Sequence, residues 1–322
     1  MKKFFSLFLT GIMVLTLSVP AFASEPSRNI SPNIEIKEYV DSENRVIRTY
    51  NKETNAVASR SASAPIEDVL SALGMEDTAI DGLSNDEVES FNESTSITSV
   101  TSYIKVDKDS NMTYLSEEDA LREVAIAKAN GLVQDKLEDT YMRVWHAISY
   151  LGNANYQVTT DARWLTMPYF RNKDAVGASV QFLTVTPNSV SSYYSYDYVK
   201  VSGAGTSSGS SGNIAIRNYD TATDGTFYGC AVYVDLPNDY STGTTTHRYS
   251  NFFVHMSYKG HRNFPGIANW FNSNGTYIHV HKTITFTPSL SIDSKGVAGV
   301  ISLGLEDEEE LRTVPLEVYY TP

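Results

Sequence analysis

From Tyr141 onward the chain is written in short apolar and aromatic runs, each closed by Gly, Pro, Asn or Asp. These runs fall near residues 141–151, 162–170, 176–185, 193–201, 213–217, 226–236, 249–258, 276–287, 296–305 and 314–321. Segments of that length, rich in Val, Ile, Thr, Tyr and Phe and bounded by turn formers, read as strands. No amphipathic stripe of helical length separates them, which excludes alternating βαβ units. The pattern predicts a mainly β fold, with antiparallel sheets packed as a β-sandwich or jelly roll over 141–322. Only four of the 21 tyrosines precede this region (Tyr39, Tyr50, Tyr103 and Tyr114), and all three tryptophans and all six histidines lie within it.

The front of the chain has a different texture. Lys2 and Lys3, an apolar run from Phe4 to Val19, then Pro20 and Ala21-Phe22-Ala23 have the three parts of a secretory leader. Cleavage between Ala23 and Ser24 is expected, giving residues 1–23 as the leader. No later run reaches the ~20 apolar residues of a spanning helix, so no stable membrane anchor is expected. The expected location is extracellular. One cysteine among 322 residues permits no internal disulfide. That habit fits a Gram-positive exporter better than a disulfide-forming compartment. Cys230, within an apolar run, reads as a buried thiol.

Between Ser24 and Ala120 there are 20 acidic and 8 basic residues, so this stretch carries nearly all of the net charge of −13. Such a balance excludes a broad nucleic-acid-binding face. Residues 64–74 read as a short helix with Pro65 in its first turn and Gly74 at its stop. Ser84 with Glu87 three positions on opens a second. A strand over 101–106 and a longer helix from Ser116 follow. The composition step divides the chain into an acidic, partly helical segment at 24–140 and a β-domain at 141–322. The acidic part reads as a pro-region or, alternatively, a loosely folded spacer.

Within that segment stand Leu70-Ser71-Ala72-Leu73-Gly74-Met75, Ile80, Leu83-Ser84, Glu87, Phe91, Tyr103-Ile104-Lys105-Val106 and Leu115-Ser116-Glu117-Glu118. This arrangement resembles the front halves of secreted proteins from spore-forming Gram-positive bacteria, some grouped with the geobacillin-type large antibacterial proteins. The resemblance implies a bacteriocin-like protein acting on other cells. It covers about a fifth of the chain and carries no catalytic motif.

Three features of the β-region bear on chemistry. Tyr194, Tyr196 and Tyr198 alternate, so they share one face of a strand. They could form an aromatic platform for a cell-envelope or surface glycan, or simply pack across a sheet. Trp270, in a turn-rich stretch, would extend such a binding surface. His279 and His281 also alternate and could bind one divalent metal with His255 as third ligand, as in a metal-dependent hydrolase. The other reading is surface or hydrogen-bonded histidines. Residues 203–212 are Gly and Ser rich and read as a flexible loop, so the match of 205–209 to a nucleophile elbow is set aside. No catalytic set emerges, and a non-catalytic protein is the expectation.

Overall fold

The computed structural model describes residues 34–52, 64–107, 111–129, 139–168, 171, 173–223, 225–263, 270–280 and 309–319. The leader with its Ala23–Ser24 junction, His281, and the strand expected at 296–305 lie outside the described residues. In chain order the elements are β1 (Ile36–Val40), β2 (Val46–Asn51), helices α1 (Ile66–Ala72), α2 (Asp77–Asp81) and α3 (Asn85–Glu93), β3 (Ser96–Val106), β4 (Met112–Leu115) and helix α4 (Glu117–Ala129). The strands β5 (Thr140–Gly152), β6 (Asn155–Trp164), β7 (Lys173–Gln181), β8 (Leu183–Val185), β9 (Ser191–Ser202), β10 (Gly205–Ser210), β11 (Ile214–Ala215) and β12 (Tyr219–Thr223) come next. The last are β13 (Phe227–Asp235), β14 (Tyr240–Thr242), β15 (Thr245–Arg262), β16 (Trp270–Val280) and β17 (Glu309–Tyr319).

The strands make two antiparallel sheets. The larger runs β1-β2-β3-β5-β6-β15-β9-β10, with β4 on β3, β8 and β14 on β15, and β11 on β9. The smaller runs β12-β13-β7-β16-β17. Side-chain alternation then sorts the core. On the larger sheet Met142, Val144, Ile148, Val158, Trp164, Val254, Met256 and Tyr258 meet Val176, Val180, Val232, Phe271 and Tyr277 of the smaller one. Burying each such side chain contributes about 1.5–3 kcal/mol. Cys230 lies in the same core, fully buried, and burial pushes its thiol up to about 12.

The alternate residues of the larger sheet face the other way, onto helices. Ile97, Trp145, Ala147, Tyr193 and Phe253 pack against Ile66, Val69, Leu70, Leu73, Ile80 and Phe91. The end of α1 is held by the sheet itself. The Leu73 carbonyl accepts from Trp145 Nε1 (3.0 Å) and Ser99 Oγ (2.8 Å), and the Gly74 carbonyl accepts from Arg143. These are carbonyls that a helix end leaves without a partner. Gly74 has φ 88, and a Cβ there would fall 2.5 Å from an Arg48 guanidinium nitrogen, so only glycine fits.

The mainly β, sandwich-type fold is therefore present, but residue 140 does not divide two separate cores. Strand β3 pairs with β5 from Ser96↔Tyr150 to Val106↔Thr140. Ile47, Val100, Ile104 and Val106 belong to the same core as the rear strands. The composition step reflects position: the front segment supplies an edge of the sheet and a thin helical layer, whose outward faces are charged while their inward positions are apolar. The Gly/Ser-rich stretch is also not a loop. Residues 205–210 form β10, paired with β9 at six consecutive positions, and only Gly203 and Ala204 turn between them.

Candidate functional site

At its β9–β10 end the larger sheet is exposed, and there it carries an aromatic face. Tyr194 and Tyr196 are half-buried, packed on the inter-sheet core, with Tyr196 at 5.6 Å from Phe252. Tyr198, one step further out, is 37% exposed. Its register partner on β10 is Gly209, where a Cβ would fall 2.8 Å from the Tyr198 hydroxyl; the bare glycine lets the ring lie across the neighbouring strand.

On the opposite side Tyr198 pairs with Tyr249 of β15. That pairing depends on a bulge. The register between β15 and β9 shifts between Ser250 and Phe253, and Asn251 sits at φ 53, the left-handed region that Asn tolerates best among non-glycine residues. Asn251 Nδ2 donates to Asp197 Oδ2 at 2.7 Å and fixes the kink. Without the extra residue Tyr249 and Val254, an odd and an even position, would face opposite ways; with it both share the face of Tyr194 and Tyr198. Tyr249 meets Tyr196 edge-on at 5.3 Å. Tyr240, on the β14 arm, is 47% exposed and stacks on His247 at 4.3 Å with an interplanar angle of 10°.

The three expected tyrosines thus do share a face, but they divide in role. Tyr194 and Tyr196 are largely support. The accessible rings are Tyr198 and Tyr240, with Tyr249 between. Tyr240 and Tyr249 were not legible as partners, because cross-strand register and the Asn251 bulge bring them in. Trp270 opens β16 opposite Tyr319, in the other sheet, and its side chain lies outside the described part.

His255 and His279 do not share a metal site, and His281 lies outside the described residues. His255 faces the helices from the larger sheet, whereas His279 lies between the sheets, at 5.2 Å from Trp164. A sheet stands between them, so they cannot ligate one ion. His279 Nδ1 instead pairs with Asp174 Oδ1 at 2.8 Å, and Asp174 also accepts from the Tyr277 hydroxyl. Among the described residues no group of three or more His, Cys, Asp or Glu is placed to hold a metal ion.

His255 is the centre of a buried charge cluster. Its Nδ1 donates to Asp161 Oδ1 at 2.6 Å and its Nε2 to Glu87 Oε1 at 2.7 Å. Tyr193 stacks on the ring at 4.9 Å. Glu87 Oε2 accepts from Ser84 N (2.9 Å), Ser84 Oγ (2.6 Å) and Ser191 Oγ (3.0 Å). Burial alone would push the Glu87 carboxyl up, but the imidazolium and the donated hydrogen bonds hold it at about 2. Burial would likewise lower His255, and the two carboxylates lift it to about 10. Burial is the larger influence on Asp161 and raises it. The Ser84–Glu87 capping box of α3 is thus also a fastener, because the carboxylate that closes the box holds the sheet's histidine. Sequence spacing reveals the box; only the fold reveals the histidine.

No protein-family model matches the chain, and no curated protein matches it. Among solved structures, one similar chain is AvmM, described as catalysing macrocyclization in alchivemycin A biosynthesis. The overlap has a TM-score of 0.21 and 9% identity, and covers 52% of this chain and 82% of that one. At that score the overlap carries no argument about fold or activity. The class defined is a mainly β, two-sheet fold with one sheet face covered by helices, in which no described helix is long and apolar enough to cross a membrane.

Proposed function

We propose that this is an exported, non-catalytic protein that binds glycans of a cell envelope through the aromatic face of its larger sheet. The observation that carries the reading is the exposure of Tyr198 and Tyr240 on either side of Tyr249, supported from below by Tyr194 and Tyr196. Rings exposed in a row at a sheet end offer flat apolar surfaces to the C–H faces of sugars, and their hydroxyls offer hydrogen bonds at the rim. The leader ending at Ala23 supports an extracellular setting.

The test is binding of the full chain to peptidoglycan and to soluble polysaccharides, by pull-down and calorimetry. Binding weakened at least about tenfold in Tyr198→Ala and Tyr240→Ala, with the melting temperature preserved, supports the reading. A chain that binds none of these glycans removes it. A second reading, antibacterial action, is favoured by the leader together with the resemblance of residues 70–118 to bacteriocin-like proteins. Purified protein spotted on lawns of Gram-positive strains tests it, and normal growth at micromolar dose ends it.

A further inference from the structure

The aromatic face contains a second row of side chains beside the rings, and its chemistry is different. Reading across the strands in register, Ser207 of β10 stands opposite Lys200 of β9, Lys200 opposite His247 of β15, and His247 opposite Tyr240 of β14. The adjacent row is Gly209, Tyr198 and Tyr249. Alternation places both rows on the same side of the sheet. Directly opposed residues have Cβ atoms about 4.5–5.5 Å apart, so Lys200 and His247 can both reach one small anionic group.

Lys200 is exposed, and among the described residues no carboxylate pairs with it. The acids at this end of the sheet are already engaged. Asp197 points to the opposite face and accepts from Asn251, while Asp239 accepts from Arg171 and from the Tyr249 backbone N–H at 2.8 Å. His247 is held by its stack on Tyr240, and an imidazole keeps an N–H donor in either protonation state. In a chain of net charge −13, an uncompensated cation beside exposed rings is a local reversal of sign. A face built this way discriminates ligands by charge as well as by shape.

Resting on the glycan-binding reading, we propose that the ligand is an anionic glycan whose carboxylate or phosphate sits between Lys200 and His247, next to a sugar ring stacked on Tyr198. The ring row supplies affinity for the pyranose. The Ser207–Lys200–His247 row supplies selection for the negative group through charge-assisted hydrogen bonds.

Calorimetry with the full chain tests this against an oligogalacturonate, a hexose-phosphate oligomer and a neutral β-glucan oligomer of similar length. The expected result is binding of at least one anionic ligand about tenfold tighter than the neutral one, and the two anionic arms tell carboxylate from phosphate recognition. Lys200→Gln is expected to remove that preference while leaving neutral binding in place, and raising salt to about 0.3 M is expected to shrink it in the unaltered chain. Tyr198→Ala is expected to weaken all ligands alike. Equal affinity for neutral and anionic ligands, or a preference that survives Lys200→Gln, overturns the anionic assignment and leaves glycan binding standing. Absence of binding to every glycan overturns both.

Discussion

Replacing Glu87 with Gln should destabilise the protein most in mildly acidic to neutral solution, and the size of the effect follows from its carboxyl. The group sits at about 2 in the folded state against 4.5 ordinarily. At 1.36 kcal/mol per pH unit that gap is about 3 kcal/mol, within the range for breaking one side of a buried ion pair. Glu87 is depressed on folding, so its contribution is complete above 4.5 and is lost as pH falls toward 2, by about 1.4 kcal/mol per unit. His255 is raised from 6.5 to about 10, so its contribution is complete below 6.5 and is lost as pH rises through 10. The two describe one shared interaction and do not add. Between 4.5 and 6.5 both are complete, and there the variant should melt about 5 °C below the parent, at ~1.5 °C per kcal/mol for a chain of this size. Tryptophan fluorescence melts across pH 3 to 10 measure it, since Trp145 is buried beside the cluster. The difference should narrow toward both ends of the range. A variant that melts with the parent at pH 5.5, or a difference constant from pH 3 to 10, would refute the reasoning.

Other consequences are open to direct measurement. Gly275→Ala puts a methyl 2.7 Å from the His146 ring and should cost about 1–3 kcal/mol in urea unfolding; an unchanged midpoint would show that the ring can move aside. His146 is held neutral by burial, at about 3, with Nε2 accepting from Ser273 Oγ at 2.7 Å. The unfolded chain protonates this histidine near 6.5 and the folded one only near 3, so it costs stability as pH falls between those values; His146→Gln should therefore make the acid limb shallower, and an unchanged limb would contradict its burial. Cys230 should resist thiol reagents at pH 8 in the folded protein and react fully in denaturant, whereas rapid labelling of the native state would contradict its burial. A chain beginning at Tyr141 lacks β3 and should not fold, because β5 loses a partner strand and Trp145 loses its cover; a soluble, cooperatively melting rear half would falsify the shared core.

How much of this was readable beforehand depends on whether the signal was local. The apolar, turn-bounded runs of β5, β9 and β13, the capping box at Ser84 and the buried character of Cys230 are each encoded within a few residues, and each is found in the fold. Strands β1 and β2 escaped because charged residues such as Lys37, Glu38 and Arg48 interrupt their apolar positions at an exposed sheet edge. β10 escaped because its Gly and Ser residues serve the register beneath Tyr198 and bury nothing of their own. The functional residues divide likewise. Alternation finds Tyr194, Tyr196 and Tyr198, but Tyr249 joins them through a bulge, and Tyr240 through a hairpin. Glu87 looked like an ordinary helix cap; its histidine lies 168 residues away.

That separation sets the order in which the molecule can be completed. The helical layer reaches its final footing only when β15 arrives, and β15 must also enter between β6 and β9. The hold of His255 on Glu87 is made 168 residues after the helix that needs it, so that helix stays unfastened until β15 is in place. Distant pairings of this kind make for slow assembly, with a long interval in which unfinished strand edges stand open to other chains.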